Sequence, residues 1–308
     1  MIANFFNKSR PINFLVLFIL SFIVYIAAAI YNFSGDVSVS FFIRSSIHYI
    51  LYLLLIFLHN FITRKNSLTE SNTYALLVLI LLFAVFPTGI TNQEILISNL
   101  FLFFSFRRIY SLRTSTEVVS KLFDAGFWVG VAFLFYSWSL TFLILIYFAI
   151  LFFRKLQWNY FIIPIIGFIT PVFLYFVYLF TIGDVYLFNN LWIFEFSFDF
   201  SNYNVLHLLF PLGVVLVYII WTIYPTLNGL LNAKKEFKAT FTLLLFHLFL
   251  AVVIIFISPI KDGSEFLFIF FPFSILITNY LQIVTDYWFK ETILIILVLL
   301  SITVYFLP

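Results

Sequence analysis

The sequence has 308 residues, of which 64% are hydrophobic and only 9% are charged. A soluble protein carries roughly a quarter charged residues, so the composition excludes an ordinary soluble enzyme and indicates a helical membrane protein. The net charge of +3 does not predict a nucleic-acid partner, because basic residues gathered on one side of a membrane explain it better. Cysteine is absent, which excludes disulfide and thiolate chemistry.

Apolar segments near the length that a helix needs to cross a bilayer follow one another along the whole chain. They predict an all-α, polytopic transmembrane bundle of about eleven spans, forming a single integral membrane domain over residues 1–308. The first is long enough to span, and its small residues lie inside the apolar run, so it is not a cleavable signal. The predicted spans are 11–32, 45–63, 74–88, 93–107, 123–137, 139–153, 158–181, 204–224, 239–258, 265–284 and 291–307.

Two predicted hairpins, 74–107 and 123–153, have short arms of about fifteen residues. The arms either span the bilayer fully, or form thinned or re-entrant segments buried among other helices. The second hairpin lies between basic groups that open and close the stretch 107–155, and it turns near Ser137. Basic groups at both ends place those ends on one side of the membrane.

The distribution of Lys and Arg predicts the orientation of the chain. With a cytoplasmic N-terminus, only Arg44 and Lys261 fall outside, and every other Lys and Arg lies on the inner side. This asymmetry fits a multi-pass protein of the bacterial inner (cytoplasmic) membrane. Because the number of predicted crossings is odd, Pro308 is expected to lie outside.

Three segments on the predicted outer side carry polar groups. Residues 32–40 contain Asp36 in a Ser- and Gly-rich turn. Residues 182–203 mix aromatic and acidic side chains, which predicts an interfacial segment that lies on the outer surface and caps the bundle. Residues 259–265 form a tight charged turn that includes Lys261 and Glu265.

Histidine and small residues are the remaining candidates in the sequence. The four histidines lie at different depths and lack HxxxH spacing, so no metal or cofactor is predicted; they are His48, His59, His207 and His247. His247 lies near the middle of its span, where a polar group needs a partner from another helix. Gly126 and Gly130 are four residues apart and predict close helix packing.

Two stretches resemble C-type glycosyltransferases, membrane enzymes that take sugars from polyprenyl-phosphate donors. They are AGFWVGVAFLFYSWSLTFLILIYFAILFFRK at 125–155 and SPIKDGSEFLFIFFPFSILITNYL at 258–281. The resemblance implies that Asp36 is the catalytic carboxylate, that Lys261 and Arg44 hold the donor phosphate, and that Glu265 belongs to the same substrate-binding turn. As a whole, the chain resembles uncharacterised polytopic inner-membrane proteins of Bacteroidota.

Three functions therefore stay open. The first is a glycosyltransferase-like protein that handles a polyprenyl-linked envelope substrate at the outer face. The second is a non-enzymatic scaffold subunit of a cell-envelope complex, with 182–203 as its docking surface. The third is a lipid or small-molecule transporter with a cavity beside His247, although no charged residue lies in the middle of a span. The expected partners are membrane lipids, a polyprenyl-linked substrate and other membrane proteins, and not nucleic acid.

Overall fold

The computed structural model describes residues 2–32, 39–232 and 235–307. Within these ranges the chain forms helices joined by short connections and contains no strand, so the prediction of an all-helical fold is confirmed. The helices are α1 (Ile2–Phe6), α2 (Pro11–Tyr31), α3 (Val39–Lys65), α4 (Tyr74–Val85), α5 (Thr88–Thr91), α6 (Gln93–Ser111), α7 (Val118–Phe135), α8 (Phe142–Phe152), α9 (Trp158–Ile182), α10 (Tyr186–Asn190), α11 (Leu206–Asn232), α12 (Lys235–Ile257), α13 (Leu267–Ile283) and α14 (Tyr287–Thr303).

Eight helical segments among the described residues are long and apolar enough to cross a membrane, which indicates a multi-pass membrane protein. Two further apolar segments, α4 and Ser137–Phe152, are shorter. At 1.5 Å per residue, α4 extends only about 18 Å, against about 30 Å for the hydrocarbon core. The count of eleven spans and the cytoplasmic N-terminus stay predictions.

The chain divides into two compact units, each assembled from separate stretches of sequence. The first unit consists of Met1–Gln93, Asp199–Ala233 and Ile260–Pro308, and the second of Glu94–Phe198 and Lys234–Pro259. The prediction of one integral domain over 1–308 stays a prediction.

Helix α4 lies at the centre of the first unit. All of its residues are buried, and it packs against α2, α13 and α14. A helix that is apolar on every side has no polar face to present to water, so enclosure by neighbouring helices is the arrangement that suits it. Its partner α13 is equally enclosed over most of its length, and the charged turn at 259–265 leads directly into α13.

The second unit is organised around the packing of α7 on α9. A Cβ atom added to Gly126 would lie 2.1 Å from the carbonyl oxygen of Pro164, and one added to Gly167 would lie 2.3 Å from that of Phe123. The two backbones therefore touch directly, as the spacing of Gly126 and Gly130 predicts. Gly167, which faces the contact from the α9 side, has no comparable spacing signal in the sequence.

Candidate functional site

The charged turn before α13 buries two ionisable side chains in the first unit. Lys261 is 3% exposed and Glu265 is 0% exposed. Removing a cation and a carboxylate from water carries a large desolvation penalty, which their attraction and their hydrogen bonds must offset. A connection that had only to reverse the chain would not need either charge, so this turn is the candidate functional site.

Local polar contacts fix the shape of the turn. Gly263 has φ of 95°, a left-handed conformation that suits glycine, and its N–H donates to Glu265 Oε2 at 3.0 Å. Asp262 Oδ1 accepts from the backbone N–H of Ser264 at 2.9 Å and from its hydroxyl at 2.5 Å. The side-chain amide of Asn92 donates to Ser264 Oγ at 3.1 Å. These contacts hold Glu265 in one position.

A strap formed by residues 199–203 lies over the two buried charges. The Tyr203 hydroxyl donates to Glu265 Oε1, and the ring centroid of Phe200 lies 4.8 Å from Lys261 Nζ. A cation over an aromatic face is attracted by the negative charge density of the ring. At the start of the strap, hydrogen bonds from Ser201, chiefly from its backbone N–H, lower the pKa of Asp199. Through Tyr203 and Phe200, the strap thus contacts both buried charges, Glu265 and Lys261.

Burial lowers the pKa of Lys261, and the nearby Glu265 carboxylate offsets part of this effect. In a site with little water, an anionic group that reached the ammonium would be attracted more strongly than in bulk solvent. Chemically, the turn is therefore suited to holding an anion at Lys261 while Glu265 balances the cation when no anion is bound.

The other candidates from the sequence have different surroundings. Asp36 lies outside the described residues. Arg44 is on α3 with an exposed side chain, in contrast to buried Lys261 and Glu265. In the second unit, fully buried His247 on α12 has its Nδ1 3.1 Å from the hydroxyl of Tyr110 on α6, so a hydrogen bond joins the two helices. The described residues contain no group of three or more His, Cys, Asp or Glu placed to hold a metal.

The predicted interfacial segment 182–203 begins at the last residue of α9 and is irregular apart from α10 and a 3-10 turn at Ser201–Tyr203. Residues 182–198 belong to the second unit, where Trp138 Nε1 donates to the carbonyl oxygen of Glu195 at 3.1 Å. The ring centroids of Trp138 and Phe196 lie 4.8 Å apart. Phe196 and Phe198 are nevertheless 62% and 68% exposed. Trp138 thus anchors a segment whose aromatic side chains stay accessible.

The strap residues Phe200 and Tyr203 are the site members that sequence analysis missed. Both lie in the segment expected to be interfacial, and the only signal in the sequence was its mixture of aromatic and acidic residues. Their pairing with Lys261 and Glu265 joins positions about sixty residues apart, which no local pattern encodes.

Comparison with known proteins places the chain in a family. No curated protein and no solved structure matches it, so the resemblance to C-type glycosyltransferases stays a prediction. The family model described as "Family of unknown function (DUF6427)" matches residues 15–307. Since this match covers nearly the whole chain, the protein belongs to the DUF6427 family.

Proposed function

We propose that the protein is a glycosyltransferase-like protein of the bacterial inner membrane that binds the phosphate of a polyprenyl-linked envelope lipid at Lys261. The observation that carries this proposal is the burial of Lys261 and Glu265 together in one turn. Burying an ionisable group beside the end of an apolar helix costs free energy, and such groups commonly have a functional role. The predicted orientation puts this turn on the outer face.

In this proposal, Lys261 neutralises the lipid phosphate, which is the leaving group in polyprenyl-phosphate chemistry. The strap covers Lys261 through Phe200, so it has to move before a phosphate can reach the ammonium. The hydrogen bond from Tyr203 to Glu265 holds the strap closed when no lipid is bound. The resemblance assigns the deprotonation of the acceptor hydroxyl to Asp36, and that role is part of the proposal.

The test compares two lipids that differ only in the phosphate. Purified protein in a neutral detergent is titrated with a polyprenyl phosphate and with the corresponding polyprenol, and bound lipid is counted by native mass spectrometry. We expect the wild-type protein to bind the phosphate at least about tenfold more tightly, since a charge-assisted hydrogen bond contributes roughly 1.5–3 kcal/mol. Lys261→Met, which keeps the apolar stem but removes the charge, should abolish this preference.

Lys290→Met is the matched control, because Lys290 on α14 belongs to the same unit and is only partly buried. It should keep the preference for the phosphate. Equal binding of phosphate and alcohol by wild-type protein would refute the proposal without reference to any variant. If folded Lys261→Met protein still prefers the phosphate to the alcohol, the phosphate binds at a site other than Lys261.

A second candidate function is a scaffold subunit, and the exposure of Phe196 and Phe198 favours it. The surrounding acidic residues Asp184, Glu195 and Asp199 suit a membrane protein with aromatic or aliphatic groups beside basic ones. A partner recovered by crosslinking in native membranes should be lost from the double variant Phe196→Ser with Phe198→Ser. The control variant Trp158→Ser, which changes an 88% exposed ring elsewhere in the second unit, should still crosslink to the partner. Equal crosslinking in both variants would contradict a docking role.

A further inference from the structure

An open cleft of about 550 Å³ lies within the second unit and is lined by three basic side chains. They come from three different parts of the chain: Arg113 follows α6, Arg154 follows α8, and Lys238 lies in the first turns of α12. The predicted orientation puts all three on the cytoplasmic side. Their convergence on one cleft was not visible in the sequence. The remaining lining residues are Phe152, Phe153, Ala239 and Thr242.

The three cations of the cleft are not neutralised by carboxylates in the part of the chain that the structure describes. Arg108, close in sequence, is paired with Asp124 at 2.6 Å, whereas Arg113, Arg154 and Lys238 form no ion pair with a described residue. Arg113 lies 5.9 Å from the ring centroid of Phe237. Three like charges facing one space repel one another, so an anion between them would relieve that repulsion.

The backbone of Arg154 has a conformation that glycine usually adopts, which makes this residue suitable for a test of the cleft. Arg154 has φ of 56°, in the left-handed region. It ends α8 with its N–H donating to the carbonyl oxygen of Leu151 at 3.1 Å, and the N–H of Lys155 donates to that of Ile150 at 2.9 Å. Glycine is the residue that normally occupies this helix-ending position, because it has no Cβ to strain. The chain instead has arginine there, and its side chain lines the cleft.

We propose that this cleft binds the phosphate group of an anionic phospholipid headgroup, with Arg113, Arg154 and Lys238 as its ligands. Guanidinium groups match phosphate oxygens through paired N–H donors, and the lysine adds a further charge. Phe152 and Phe153 supply apolar wall beside the headgroup. Basic pockets between helices on the cytoplasmic side of a membrane are suited to such headgroups. The inference is independent of the site at Lys261.

Arg154→Gly is the decisive variant, since it removes a cleft cation and at the same time puts glycine where the backbone favours it. A loss of binding would therefore not arise from backbone strain at this position. Lys155→Gln is the matched control: it removes one charge from the neighbouring residue, whose ammonium donates to Ser115 Oγ at 2.6 Å and does not line the cleft. Wild-type protein and both variants are titrated in neutral detergent with phosphatidylglycerol, phosphatidylcholine and inorganic phosphate, and bound molecules are counted by native mass spectrometry.

We expect wild-type protein to bind phosphatidylglycerol saturably and more tightly than phosphatidylcholine. Arg154→Gly should weaken this binding about tenfold, and Lys155→Gln should leave it within about twofold. If inorganic phosphate binds in an Arg154-dependent manner and phosphatidylglycerol is no better than phosphatidylcholine, the phosphate site stands and its ligand is soluble. The proposal would be overturned if neither phosphatidylglycerol nor inorganic phosphate bound saturably. It would also be overturned if Arg154→Gly and Lys155→Gln weakened binding equally. Lys261→Met should not change this binding, which separates it from the lipid site proposed above.

Discussion

Replacing Gly126 by alanine is expected to lower the free energy of unfolding by about 3 kcal/mol, at the upper end of the usual cost of overpacking. The added methyl would lie 2.1 Å from the carbonyl oxygen of Pro164 and 2.9 Å from two further backbone atoms of that residue. These atoms belong to the backbone of α9 and cannot turn aside as a side chain could. The α7 and α9 helices would therefore have to separate, which would loosen the contact around which the second unit is organised.

Equilibrium unfolding in mixed micelles with a denaturing detergent measures this effect. Gly213→Ala is the matched control, because Gly213 lies within α11 and a Cβ added there meets nothing within 4 Å. Alanine in a helix interior is favoured over glycine by roughly 0.5–1 kcal/mol, so this control should be neutral or slightly stabilising. Equal stability of the two variants would show that α7 and α9 are not in backbone contact.

The contrast between Gly126 and Gly167 shows what the sequence could predict of the fold. Gly126 and Gly130 are four residues apart on one predicted helix, so their common face follows from helix periodicity alone. Gly167 has no such neighbour, and only the crossing of α7 over α9 gives it a role. Similarly, hydrophobicity predicted helix α4, but its complete enclosure depends on α2, α13 and α14, which come from distant parts of the chain.

The candidate site also contains some residues that the sequence indicates and others that only the fold reveals. The resemblance and the charge asymmetry both indicate Lys261, and Glu265 lies in the same turn. The strap residues Phe200 and Tyr203 were not predicted as site members, because their contacts to the turn arise only when the chain folds. For Arg154 the sequence predicts only a position on the inner side, because its left-handed backbone is visible only in three dimensions.

Glu265→Gln is expected to lower the free energy of unfolding by about 2 kcal/mol, within the range for a buried group that loses a hydrogen-bond partner. The substitution keeps the shape of the side chain, but Tyr203 and Gly263 donate to different carboxylate oxygens, and the single oxygen of glutamine can accept from only one of them. The measured effect therefore combines the lost charge with one lost hydrogen bond. Lys261 would then remain buried without the carboxylate that helps to offset its desolvation. Glu70→Gln, the same change at an exposed position of the first unit, should have an effect within about 0.5 kcal/mol.

The double variant Lys261→Met with Glu265→Gln tests whether the two charges act as a pair. If they do, removing both is less damaging than the sum of the single changes, with a coupling of at least about 1 kcal/mol. Additive effects would instead mean that each group is stabilised by its own local contacts. Suppose that the double variant folds well, shows this coupling, and no longer distinguishes polyprenyl phosphate from polyprenol. The role of Lys261 in stability would then be separated from its role in phosphate binding. Its charge would then be dispensable for the fold once Glu265 is neutral, and required for the phosphate.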